Sequence, residues 1–195
     1  MTKGTGEVYT YRFLWASAKH QYKLAKHHKQ GRAYCCLSSM IMAYFTYESY
    51  LNFLGEFIAP EIWKEERVFF NSPEHKGTNG KLKKILEIIN KPIFNKGERP
   101  YQTIKFLNTY RNSITHGKQE HFVFSAKHGH NSEPDMLNSD IMNSASLKNA
   151  ERVLEDIQNM IEILHNNSKP FISDKKFPTK AISGVTAVAV GWSSR

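Results

Sequence analysis

An all-α helical bundle is the fold class this sequence predicts, and three observations predict it. Long segments carry apolar residues at spacings of three and four, strand-like alternation is scarce, and glycine and proline punctuate the chain between those segments. Its 195 residues suffice for one substantial core, and 40% hydrophobic with 23% charged residues is an ordinary globular balance. We expect a helical domain over 1–166 and a basic C-terminal extension over 167–195.

A first helix is expected from about Glu7 to Gln30, with Tyr11, Leu14, Trp15, Ala18, Tyr22 and Ala25 on its apolar face. Its second half carries Lys19, His20, Lys23, Lys26, His27, His28 and Lys29. His20 and His28 share roughly one face, but no carboxylate or cysteine completes a metal site, so no metal and no cofactor are assigned. A solvated basic face, suited to contacting phosphates through Lys19, Lys23 and Lys26, is the expectation.

Gly31 breaks the chain before a second helix, Arg32 to Ile58, which Pro60 helps to stop. Tyr34, Leu37, Ile41, Tyr44, Glu48 and Leu51 alternate spacings of three and four along it, like a bundle seam. Glu48 puts an acid where that pattern calls for an apolar residue. This is the most apolar segment of the chain, yet its Glu48, Asn52 and Glu56 mark a buried central helix rather than a membrane span.

Pro60 opens a short helix to about Phe70, with proline in its first turn. Asn71 to Gly80 reads as a loop. A helix over Lys81 to Asn90 turns Leu82, Ile85, Leu86 and Ile89 inward, and Lys91 to Pro100 is a second break. The next helix runs from about Arg99 to Gly117, with Tyr101, Ile104, Leu107, Tyr110 and Ile114 as its stripe. His121 to Phe124 reads as a short extended segment after it, then a polar loop from about Lys127 to Ser144. The last strong helix spans about Ser146 to Asn166. Beyond it the tail carries five cations against Asp174, and its docking as strand or helix, or its disorder, stays open.

The formal charge is +9 before any of the nine histidines is protonated, which favours an anionic partner, nucleic acid first. Cys35 and Cys36 are adjacent and make a poor structural disulfide, pointing to a reducing compartment. The first residues lack the apolar core of a signal peptide. A soluble cytoplasmic protein with no membrane partner is expected.

The sharpest feature is Tyr110-Arg111-Asn112-Ser113-Ile114-Thr115-His116-Gly117. At about 100° per residue, Arg111 falls inside the apolar stripe, and a guanidinium cannot shed its charge to enter a core. Something must meet it: Glu48, a subunit interface or an anionic ligand. Arginine, asparagine and histidine also suit phosphoryl chemistry on RNA. Arginine holds a phosphate bidentately and stabilises developing charge, histidine exchanges a proton near neutrality, and asparagine orients either. Attack by a 2′-hydroxyl needs no metal.

On a straight helix Asn112 and His116 share a face, whereas Arg111 and His116 point about 140° apart. A joint site then needs a bent arginine, a distorted last turn or a second copy of the chain, and two-fold symmetry would bring two histidines together.

The run Arg111 to Gly117 resembles the signature of the HEPN superfamily: arginine, four to six residues, then histidine, often with a polar residue after the arginine. The segment Ala43 to Asn52, containing Glu48, resembles the acid-bearing early helix of many HEPN proteins. The likeness covers about a fifth of the chain within a compatible helical order. It implies a HEPN-like bundle that dimerises with its signatures facing a shared cleft. Many such proteins are metal-independent endoribonucleases, including toxins and defence effectors, which would add an antitoxin or other regulatory protein to the partners. Others are non-catalytic nucleotide, RNA or protein binders. Carried onto this chain, Arg111 and His116 are catalytic, Asn112 assists, and Glu48 orients or neutralises Arg111. Lys19, Lys23, Lys26 and Lys118 complete the expected RNA-binding set.

Overall fold

The computed structural model describes residues 2–117, 140–174 and 176–194, with side chains described between residues 6 and 187. The expected extended segment at 121–124 and Lys118 fall outside the described residues. Eight α-helices dominate the described residues: α1 (Thr10–His27), α2 (Arg32–Ile58), α3 (Pro60–Lys64), α4 (Glu66–Phe69), α5 (Gly77–Ile88), α6 (Tyr101–Thr115), α7 (Asp140–Ser144) and α8 (Leu147–Ser168). One antiparallel ribbon joins β1 (Thr2–Val8) to β2 (Ala187–Ser194). None of the described helices is long and apolar enough to cross a membrane.

α2 and α8 form the centre, and α1 and α6 each pack on both of them. Ala18 and Ser39 let α1 and α2 approach closely. The Ser39 hydroxyl donates to the Ala18 carbonyl at 2.9 Å in the dry interface. Arg32, in the first turn of α2, donates to the Ala25 carbonyl at 3.0 Å, meeting the negative end of α1 with a cation.

The seam expected on α2 lies to one side of its true buried face. Cys36, Met40, Ala43, Tyr47, Tyr50 and Leu54 join Tyr44 and Leu51 in the core, while Tyr34 is 69% exposed. With α1, α5, α6 and α8 all packed on it, α2 is covered over too wide an arc for one heptad stripe to describe.

α5 begins four residues earlier than its apolar pattern, which starts at Lys81. The polar stretch Gly77-Thr78-Asn79-Gly80 is helical, and only glycine fits at position 80, where a Cβ would stand 1.9 Å from the His75 carbonyl oxygen. α8 starts on Ser146, whose side chain accepts from the Asn149 amide at 3.3 Å, and runs past the expected boundary at 166 to Ser168.

The tail docks. Arg12 is only 6% exposed and donates to the carbonyls of Lys180 at 2.9 Å and Val185 at 3.0 Å. The Tyr9 amide donates to Thr186, which feeds the tail into β2 beside β1. Gly184, at φ 125°, allows the close pass, since a Cβ there would lie 3.1 Å from Arg12 Nη1. Behind this crossing, His165 stacks on Phe177 with ring centroids 4.6 Å apart and shares a 2.9 Å hydrogen bond with Tyr50.

Candidate functional site

The direction of the motif helix is fixed at its start. Asp156 of α8 is 4% exposed and accepts from Arg99 Nε at 2.8 and 2.9 Å. The buried Thr103 hydroxyl donates to the same carboxylate at 2.6 Å. A charge on this face of α8 is tolerated because it is met by a guanidinium and a hydroxyl. The clamp ties the first turn of α6 to α8 and leaves the last turn to project.

Along α6, Tyr101, Thr103, Ile104, Leu107 and Tyr110 are buried, and Arg111 is half-buried at the edge of that stripe rather than within it. Its Nη1 donates to Asn112 Oδ1 at 3.0 Å. Asn112 and His116 are exposed. Thr115 and Ser113 donate back to the carbonyls of Arg111 and Thr109 at 2.8 and 3.1 Å, as hydroxyls near a helix end do. His116 has left the helix at φ −110° and ψ 18°, its amide still donating to Asn112 at 2.9 Å.

Beneath this turn lies a polar layer that the motif does not announce. Tyr44 donates to Asn108 Oδ1 at 3.0 Å, and Thr78 of α5 donates to the half-buried Glu48 at 2.5 Å. Burial pushes the Tyr44 phenol up to about 12. The neighbouring Glu48 charge adds to that rise, and the Arg111 charge opposes it. Glu48 and Arg111 thus flank one tyrosine. They do not form the expected direct pair among the described residues: the acid is met by Thr78 and the arginine by Asn112. One turn on, Lys81 Nζ donates to Asn52 at 2.6 Å and to Glu66 at 2.8 Å, so the polar seam between α2 and α5 continues.

No hydrogen bond joins Arg111 to His116 among the described residues, where the arginine is met by Asn112 instead. Lys19, Lys23 and Lys26 are exposed on α1, with Lys19 Nζ 5.8 Å from the Trp15 ring centroid and Lys26 Nζ 5.6 Å from that of Tyr22. They make an open basic face without acidic partners among the described residues. There, too, no group of three or more His, Cys, Asp or Glu is placed to hold a metal ion.

No family model, curated protein or solved structure matches this chain. The HEPN likeness therefore stands on the motif residues and the helical order alone.

Tyr44, Thr78 and Asn108 are the members of the cluster that sequence reading missed. Two of them carried a signal: Tyr44 precedes Glu48 by four residues and Asn108 precedes Asn112 by four, each pair on one helix face. Thr78 carried none, because it sits in what reads as a loop.

Proposed function

We propose that this protein is a metal-independent endoribonuclease of HEPN type, acting on single-stranded or looped RNA. The observation that carries the proposal is the last turn of α6. It presents exposed Asn112, the exposed off-helix His116 and half-buried Arg111 above a polar layer of buried Tyr44 and half-buried Glu48, Thr78 and Asn108.

Each residue type there has a task in transesterification. Arg111 holds the non-bridging oxygens of the scissile phosphate and stabilises their charge as the phosphorus becomes five-coordinate. Neutral His116 takes the proton of the 2′-hydroxyl as that oxygen attacks phosphorus. The bond to the 5′-oxygen breaks, and a proton delivered to that oxygen gives a 5′-hydroxyl and a 2′,3′-cyclic phosphate. Asn112 keeps the guanidinium in place, and Glu48 acts on it through Tyr44 and the shared field rather than by contact. The second proton transfer calls for a second acid, which the His116 of another copy supplies in a two-fold dimer.

An alternative is a non-catalytic HEPN module that binds nucleotide or RNA, favoured by the Arg111–Asn112 bond, which engages the guanidinium within its own turn. Cleavage of RNA in the presence of EDTA separates the two, because only the enzyme produces a cyclic phosphate.

A further inference from the structure

A cleft of about 300 Å³ lies beside the motif helix, at the small end of the range for ligand sites, and Lys76, Lys83 and Lys96 line it. Its lining acid is Glu74, and Lys83 Nζ answers it at 3.6 Å while also standing 3.7 Å from Glu87. Lys76 and Lys96 remain, both exposed and without an ion pair among the described residues. Another wall is apolar: Ile93, 58% exposed, and Tyr101, whose ring stacks on Phe94 with centroids 6.4 Å apart. Two free ammonium groups beside an apolar, partly aromatic wall fit a molecule with a phosphate at one end and a flat, weakly polar body at the other.

The cleft and the motif share a side of α6. Counting about 100° per residue, Tyr101, Lys105, Asn108 and Asn112 fall within about 60° of one another on that helix. Arg111 lies ten residues beyond Tyr101, or about 15 Å along the axis. A few nucleotides of extended strand cover that distance.

We propose that this cleft is a nucleotide subsite, in which Lys76 and Lys96 take the phosphate, and Ile93 and Tyr101 the base, of a nucleotide a few positions along the strand from the one held at Arg111. The strand's path rests on the ribonuclease proposal, whereas the pairing of phosphate with lysine does not.

Salt-dependent binding tests it with the full chain. A fluorescein-labelled ten-nucleotide single-stranded RNA is titrated with the His116→Ala protein, which removes cleavage, at several salt concentrations. Each phosphate contact on a single strand contributes about 0.7 to the slope of log affinity against log salt. Adding Lys76→Gln and Lys96→Gln, which together hold one phosphate, then lowers the slope by about 0.7, while the exposed pair Lys64→Gln with Lys148→Gln, equal in charge, leaves it unchanged. Equal slopes for both double variants overturn the subsite, and so does AMP binding lost with Lys76 and Lys96 while the RNA slope stays put, because the cleft then takes free nucleotides and not the strand. A slope that falls as expected for a wild-type chain that cuts no RNA upholds the subsite and removes the ribonuclease instead.

Discussion

Tyr44 on α2 donates its hydroxyl to Asn108 on α6 at 3.0 Å, one turn before Arg111 and one turn before Glu48 on their respective helices. This bond couples the central helix to the motif helix just where the candidate chemistry sits. Tyr44→Phe keeps the ring and removes the bond, leaving the half-buried Asn108 to solvent. A cost of about 0.5–1.5 kcal/mol in urea denaturation is expected. RNA cleavage falls as well, but less than in Arg111→Ala, since the guanidinium itself remains.

The clamp at the other end of α6 gives a second expectation. Hydrogen bonds to a charged group contribute about 1.5–3 kcal/mol, and solvent at the half-exposed Arg99 places Asp156→Asn near the low end, about 1.5 kcal/mol. Loosening the first turn also lets α6 swing. Cleavage therefore falls by more than the unfolded fraction explains, which a comparison of denaturation midpoint with initial rate reveals.

Buried phenols set the alkaline limit. Burial pushes Tyr11, Tyr44 and Tyr110 up to about 12 from an ordinary value of 10.0. Folded-state values raised in this way mean that the unfolded chain loses protons first. The contribution is whole below pH 10 and is lost as pH climbs to about 12. Tyrosinate absorbance should rise together with loss of helical circular dichroism in that window. A tyrosinate rise complete near pH 10, with the helices intact, would count against these burials.

Acid acts through His165. Burial, aided by Lys169, pulls its imidazole below the ordinary 6.5, so the folded chain holds it neutral. That contribution is present above about pH 6.5 and is lost as pH falls through the depressed value. His165→Gln keeps an acceptor for Tyr50 and should make stability between pH 7 and 5 measurably flatter than in the wild type.

Much of this fold is legible in the sequence because helices write their faces into it. α2 begins and ends at the residues expected from Gly31 and Pro60, and α8 begins on its Ser146 cap. What escaped was set by tertiary packing. The first turn of α5 is polar and packs Gly80 closely against His75, a fit that no periodicity carries. β1 and β2 lie at opposite ends of the chain, so neither strand has a local partner to betray it. Arg12 is buried on α1 and clasps the tail through carbonyls more than 160 residues away, a partnership no local pattern announces. At the site, Arg111 and Asn112 lie in the last turn of α6 and His116 follows it as the cap. The polar layer below them depends on helix neighbours that only the assembled bundle brings together.

Assembly gives a further expectation. If a second copy supplies the second histidine, activity per chain falls on dilution through the dimer's dissociation range, and sedimentation follows the same midpoint. Constant activity per chain in a sample that sediments as a monomer would remove the shared cleft.

The most direct measurement is cleavage of a single-stranded RNA in EDTA by the wild type, Arg111→Ala and His116→Ala, with circular dichroism on each to establish folding. A HEPN-type ribonuclease leaves a 2′,3′-cyclic phosphate, and each folded variant loses a hundredfold or more in rate, the order of effect of one general base or one charge-stabilising donor. Wild-type cleavage that persists unchanged in folded His116→Ala would contradict it.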